Sequence, residues 1–252
     1  MNHIPQHNVN QRLTKKKPYV KKYGVFSGFT AWIVDGAYIR ENIDEEFTNF
    51  GQHYEFRFIP KREFWIDKEY APGEEKYFID HLLVEYRLME QGIPYRIAHK
   101  RAVRIGRKER MKSRRAKTLA GLNKKNVIAK IHKRLLKMYS KGAAIWIVNS
   151  ELVRDTYDMD FTEGGHDKVY SFIPKGEVWI DDDIGPRERA FVLLHELHER
   201  YLMSKGWTYD SAHRSASAIE YQCRKHPALL KKCLAAEVKK NALLITVHAT
   251  RF

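Results

Sequence analysis

Residues 191–213 read FVLLHELHERYLMSKGWTYDSAH. His195, Glu196, His198 and Glu199 fall within five positions, and His213 and Glu220 follow. Imidazole nitrogens and carboxylate oxygens bind divalent transition metals at neutral pH. A carboxylate standing beside such a metal, rather than on it, can take a proton from water. At 100° per residue on a helix, Glu199 lies about 40° from His195, His198 about −60° and Glu196 about 100°. His195 and Glu199 therefore stack one turn apart, with Glu196 beside them. After a turn at Gly206, a returning helix brings in His213, with Glu220 two turns further along the same face. We expect His195, Glu199 and His213 as metal ligands with one position open, and Glu196 as general base. His198, Glu220 and His166 are expected to support the ligands from around them. Zinc suits this donor set; iron or manganese suits it less specifically. The competing expectation is a buried hydrogen-bond network of the same residues that fixes the helix–helix angle.

The stretch HELHE resembles the active-site helix of the zincin metallopeptidases, whose motif is His-Glu-x-x-His with the Glu as general base. His195 and Glu196 fall on its first two positions, and Glu199 stands where that family has its second histidine. The resemblance covers five residues. It implies a zinc-dependent hydrolase, with a peptide bond as the target.

A gapless shift of 114 residues lays one half of the chain on the other. WIVDGAYIR (32–40) falls on WIVNSELVR (146–154), and FIPKREFWID (58–67) on FIPKGEVWID (172–181). Roughly 28 of the 71 positions from Trp32 to Ala102 are identical. The spacing predicts a tandem internal duplication, which takes precedence over any element-by-element reading. The first copy keeps His81, Glu85 and His99 where the second has His195, Glu199 and His213. It has Leu82 for Glu196, Val84 for His198, Gly106 for Glu220 and Gln52 for His166. The expectation is one competent site in the second copy and a degenerate, base-less relative in the first.

The positioning elements follow from pattern. AWIV, EFRFI and EFWID, with IWIV, VYSFI and EVWID in the second copy, are aromatic and β-branched runs that read as short antiparallel strands. A hairpin is expected near Lys61-Arg62 and Lys175-Gly176. A helix pair follows in each copy: Pro72 and Pro186 sit at its start, Gly92 and Gly206 cap its first helix, and a second begins near Tyr95 or Tyr209. The class is α+β, each unit short antiparallel strands followed by a helix pair, the two units packed on each other. The expected organisation is a basic tail 1–24, a first repeat 25–110 and a basic connector 111–141. A second repeat 142–225 and a C-terminal helix and strand 226–252 complete it. Asp181, Asp182 and Asp183 at a strand end are read as turn or cap residues ahead of a hard-cation site.

The net charge is +15, and its placement is uneven. Residues 100–141 hold 17 Lys plus Arg against Glu109 alone, so the rest of the chain sums to about −1. Val127, Ile131, Leu135 and Met138 recur at helical spacing among lysines, which predicts a basic amphipathic helix. The expected polyanion-binding residues are Arg114, Arg115, Lys124, Lys125, Lys130, Lys133, Arg134 and Lys137. They imply phosphate contact with nucleic acid, or else a solvated linker lying on its own domains. No apolar run is long enough for a membrane span, and the N-terminus lacks the apolar core of a secretory signal. Two cysteines at positions 223 and 233 fit a reducing, cytoplasmic compartment. Two functions remain open: a zinc hydrolase, or a non-catalytic, duplicated nucleic-acid-associated protein.

Overall fold

The computed structural model describes residues 18–69, 73–112 and 121–249. The chain is a mixed α+β protein of two compact units that divide between His99 and Lys100. Among the described residues no helix is long and apolar enough to cross a membrane.

The first unit begins with a hairpin, β1 (Tyr19–Phe26) and β2 (Phe29–Val34). Ser27 and Gly28 both take positive φ between them, the geometry of a two-residue turn matched to strand twist. Asp35 then caps α1 (Gly36–Asn42) by accepting from Tyr38 N–H. β3 (Phe50–Gln52) and β4 (Glu63–Asp67) complete a four-stranded sheet in the order β1-β2-β4-β3. β2 and β4 run parallel, and the outer pairs run antiparallel. α2 (Glu75–Glu90) packs on the sheet, and α3 (Tyr95–Arg110) begins in this unit and ends in the second.

In the second unit α4 (Lys124–Ile131) leads into β5 (His132–Leu135), β6 (Ala144–Val148) and α5 (Ser150–Thr156). β7 (Gly164–His166) and β8 (Glu177–Asp181) close a second sheet in the order β5-β6-β8-β7, again with its central pair parallel. α6 (Pro186–Ser204), α7 (Tyr209–Lys225), a short 3₁₀ turn (Pro227–Leu229) and α8 (Leu230–Ala249) end the chain. Pro186 occupies the first turn of α6, where its missing N–H costs nothing. Gly92 and Gly206 end α2 and α6 with φ of 81° and 92°. Around them Ile93 N–H reaches Leu88 O, and Trp207 N–H reaches Leu202 O, which satisfies the last carbonyls.

Alternation along the central strands puts one apolar row on each face. Ile145, Ile147, Val178 and Ile180 face a core shared with Phe191, Leu194 and Leu197 of α6. Val148 and Trp179 face the other side, where Val127, Ile131 and Val153 cover them. The sheet thus carries α6 on one face and α4 and α5 on the other. The end of β4 is fixed to α1 and the end of β8 to α5 by buried ion pairs, Arg40–Asp67 at 2.9 Å and Arg154–Asp181 at 3.1 Å.

Several expectations are corrected. Residues 55–59 and 169–173 form turns rather than strands, so there is no hairpin at Lys61-Arg62 or Lys175-Gly176. Phe56 and Ile59 are buried three residues apart, a spacing that a strand would send to opposite faces. The sheets are therefore mixed, not antiparallel. The basic tail and connector also give up residues to them: 19–26 and 132–135 are strands. The amphipathic helix ends at Ile131, leaving Leu135 on β5 and Met138 72% exposed. The C-terminal strand is replaced by helix through Ala249. Pro72, Arg114 and Arg115 lie outside the described residues.

Candidate metal centre

The centre is built where α6 meets α7. Ala212 and Ala216 line the buried face of α7 and let the two helices approach, so that His213 comes level with His195 and Glu199. His195 Nε2 lies 3.1 Å from His213 Nδ1 and 3.7 Å from Glu199 Oε2. His213 Nδ1 lies 2.9 Å from the same Glu199 oxygen. Three donor atoms on bonds of about 2.0–2.1 Å to a tetrahedral ion stand about 3.3–3.4 Å apart. The observed triangle of 2.9, 3.1 and 3.7 Å brackets that value. The donors also fit in chemistry, two imidazole nitrogens and one carboxylate oxygen.

Each donor is held from behind. Glu220 Oε2 lies 2.9 Å from His195 Nδ1 and can only accept, so that nitrogen carries its proton. Glu220 is anchored in turn by Arg224, which also clasps Glu188 in the first turn of α6. On the other side, Lys168 N–H donates to His166 Nδ1 at 3.2 Å. His166 Nε2 therefore bears the hydrogen and donates it to Glu199 Oε1 at 3.0 Å, leaving Oε2 turned toward the two histidines. The ring of Tyr209 stacks on His213, with centroids 5.3 Å apart.

The charges follow this wiring. Burial alone would lower the His195 pKa, but Glu199 and Glu220 outweigh it and hold the imidazole protonated well above its ordinary range. Burial alone would raise Glu199, yet hydrogen bonds from His166, His195 and His213 pull it well below the usual carboxylate range. Glu220 behaves likewise: burial is overcome by His195 and Arg224, which bring it down to about 2.

Glu196 differs. It accepts no hydrogen bond among the described residues, and burial pushes it up to about 7, with the negative Glu199 adding to the rise against the nearby histidines. One of its oxygens lies within 4.8 Å of atoms of both His166 and Glu199. A carboxylate near pKa 7 beside the ligand set is matched to proton transfer at neutral pH. Room for it comes from Gly164 on β7: a β-carbon there would stand 2.8 Å from Val192 Cγ1 and 3.3 Å from Glu196 Cγ.

The first unit repeats part of this arrangement. Glu85 Oε2 lies 3.0 Å from His99 Nδ1 and 3.4 Å from His81 Nε2, and Gln52 donates to Glu85 Oε1 at 2.8 Å. His81 Nδ1 is buried without a hydrogen-bond partner, and at the 114-residue shift Glu220 has Gly106 as its counterpart. Phe50 and Leu82 stand where the second unit has Gly164 and Glu196. Phe50 stacks on Phe78 at 4.6 Å, filling that space with hydrocarbon.

His195, Glu196, Glu199, His213, His166 and Glu220 are thus brought together, whereas His198 is not among them. Its Nδ1 meets Glu237 at 2.9 Å and its Nε2 meets Ser215 at 3.0 Å, so it ties α6 to α7 and α8 instead of supporting a ligand. Asp181 and Asp182 hold Arg154, Ser150 and Lys133, and Asp183 holds Arg154, ion-pair contacts beyond the turn or cap role expected of them. Lys124, Lys125, Lys130, Lys133, Arg134 and Lys137 are all exposed. Sequence reasoning missed Gly164, Arg224, Glu188 and Tyr209. Gly164 left a signal, since its counterpart at the 114-residue shift is a phenylalanine.

No protein-family model, curated protein or solved structure matches the chain.

Proposed function

We propose that the second unit holds one divalent transition-metal ion, zinc by preference, on His195 Nε2, Glu199 Oε2 and His213 Nδ1, and is a hydrolase. The donor triangle is the observation that carries this reading. A bound zinc ion supplies a Lewis acid that polarises a carbonyl and lowers the pKa of water. Glu196 takes the proton from the attacking water and returns it to the leaving group. His166 keeps Glu199 oriented, and Glu220 keeps the proton of His195 on Nδ1, away from the ligating nitrogen. The peptide bond as target rests on the resemblance of HELHE to the zincin helix.

The two units are a tandem duplication in this reading. What supports it is the shared strand order, the matching buried ion pairs, and the tyrosine stacked on His99 at 5.2 Å as on His213. The first unit is a base-less relative. Two free cysteines fit a reducing, cytoplasmic setting.

The test is metal content of the purified chain by inductively coupled plasma mass spectrometry, on wild type, His195→Ala and His81→Ala. One zinc per chain, lost only with His195→Ala, is expected. Glu196→Gln should then keep the zinc while peptide hydrolysis falls roughly a hundred- to ten-thousand-fold. No metal taken up on reconstitution overturns the centre and leaves a hydrogen-bonded helix seam in a non-catalytic protein.

A further inference from the structure

The second unit bears cations that the metal centre does not use. On α3 the residues Ala98, Ala102 and Gly106 are buried at every fourth position, and the opposite face is charged. Arg101, Arg104 and Lys108 are exposed there, at axial steps of about 4.5 and 6 Å. On α4, Val127 and Ile131 enter the core while Lys124, Lys125 and Lys130 stay exposed. None of these six makes an ion pair among the described residues. Glu109, the sole acid between residues 100 and 141, is already paired with Lys112.

Both helices lie against α5. Arg110 of α3 forms a buried ion pair with Asp155 at 3.1 Å, and Val127 and Ile131 of α4 share a core with Val153. That core covers the sheet face opposite the one on which α6 carries the ligands. The cationic surface therefore belongs to a fixed layer of the fold and faces away from the centre.

We propose that this α3–α4 surface binds the phosphate backbone of duplex nucleic acid, as an anchor and not as the substrate of the metal centre. The proposal stands apart from the hydrolase reading, because it uses none of the same residues. Unpaired arginines and lysines on rigid helices attract a polyphosphate chain and release its counterions. No Phe, Tyr or Trp occurs between Lys100 and Met138, so there is no platform for stacking unpaired bases, and contact is with the backbone of a duplex. A membrane surface is the less favoured partner: Ala98 and Ala102 of α3 and Val127 and Ile131 of α4 are buried in the fold, and the exposed Ile97 and Ile105 of α3 are isolated among cations and form no continuous apolar face.

The test is fluorescence anisotropy of the full chain with labelled 24-base-pair DNA and RNA duplexes across 50–200 mM salt. Arg101→Gln/Arg104→Gln/Lys108→Gln and Lys124→Gln/Lys125→Gln/Lys130→Gln are compared with wild type. Lys231→Gln/Lys232→Gln/Lys239→Gln, three exposed lysines of α8, is the charge-matched control. Six phosphate contacts imply a slope of log K against log salt near −5 and about a thousandfold loss over that range. Each triple variant should reduce the slope by about 3, and the control and His195→Ala should bind as wild type. DNA and RNA arms distinguish which duplex is preferred; binding of either supports the anchor. The proposal is overturned by no duplex binding at 50 mM salt, by a control that weakens as much as the triples, or by loss of binding in His195→Ala. It is equally overturned if polyglutamate or phosphatidylserine vesicles compete as well as duplex at equal charge.

Discussion

Replacing Glu220 by glutamine isolates the support of a single ligand. Glu220 Oε2 sits 2.9 Å from His195 Nδ1, and Oε1 accepts from Arg224 Nε at 2.9 Å. Glutamine keeps the length but has one acceptor oxygen, which cannot serve both. If it serves His195, its amide group points N–H at the Arg224 guanidinium; if it serves Arg224, the imidazole loses its acceptor and is free to turn. Either way Nε2 is less well held toward Glu199 and His213. Loss of such an orienting carboxylate typically weakens metal binding 10–100-fold, or about 1.4–2.7 kcal/mol. The upper part of that range is expected, because the partner is a charged and buried arginine. The fold should survive, since Arg224 keeps Glu188 at 2.9 Å. Competition titration of zinc against a chromophoric chelator measures the effect, with His198→Gln as control because His198 hydrogen-bonds Glu237 and Ser215 and none of the donor atoms. A Glu220→Gln affinity within twofold of wild type would refute the orienting role. Equal weakening by His198→Gln would show that any loss on α6 perturbs the site.

Two further changes test the supports of the centre. Gly164→Ala forces a β-carbon to within 2.8 Å of Val192 Cγ1, an overpacking that costs about 1–3 kcal/mol. A melting temperature several degrees lower by differential scanning calorimetry is expected, and an unchanged one would mean that β7 shifts freely. Asp167 stands beside His166 and accepts from Arg200 at 2.7 Å. Burial alone would raise its pKa, but Arg200 and the Gly176 N–H outweigh burial and lower it. A depressed folded value contributes stability that is complete above the unfolded pKa of about 4 and is lost as pH falls through the folded one. Asp167→Asn should therefore be less stable than wild type at pH 7, and its denaturant midpoint should fall less steeply as the pH drops below about 4. Parallel pH curves would remove Asp167 as the source.

The helix pair was legible because its signals are local. Four-residue spacing of His195 and Glu199, a proline at the start and a glycine at the end act within one or two turns. The sheets were not, for two reasons. Their central strands pair parallel across more than twenty residues of intervening chain, and no short-range pattern encodes that. Their outer strands are disguised by charge: Lys21, Lys22, Lys133 and Arg134 are exposed on β1 and β5. Lysine on an edge strand deters pairing with another chain, yet in sequence it reads as a tail or a linker. β7 is three residues long and carries two glycines, too little for a strand pattern. Of the candidate centre, the grouping of His195, Glu199, His213 and Glu220 was legible from helical spacing. Arg224, Glu188 and Gly164 were not, because their roles depend on which element packs beside them.

The two units differ at the positions that separate holding donors from doing chemistry, and they differ together. Leu82 removes the carboxylate that would accept a proton. Phe50 fills the space which Gly164 leaves open for such a side chain, so Leu82→Glu alone would bury a charge against an aromatic ring. His81 Nδ1 is buried and unpartnered, a cost that a functioning ligand histidine avoids. What persists is the His–Glu–His hydrogen-bond set and the glutamine that steadies Glu85, enough to fix the seam between two helices. On the duplicated reading, the first unit has exchanged reactivity for packing. The second has kept a destabilising feature, a carboxylate held near neutrality without a hydrogen-bond donor. On the proposed reading, that feature and the open space beside it are what distinguish the second unit from the first.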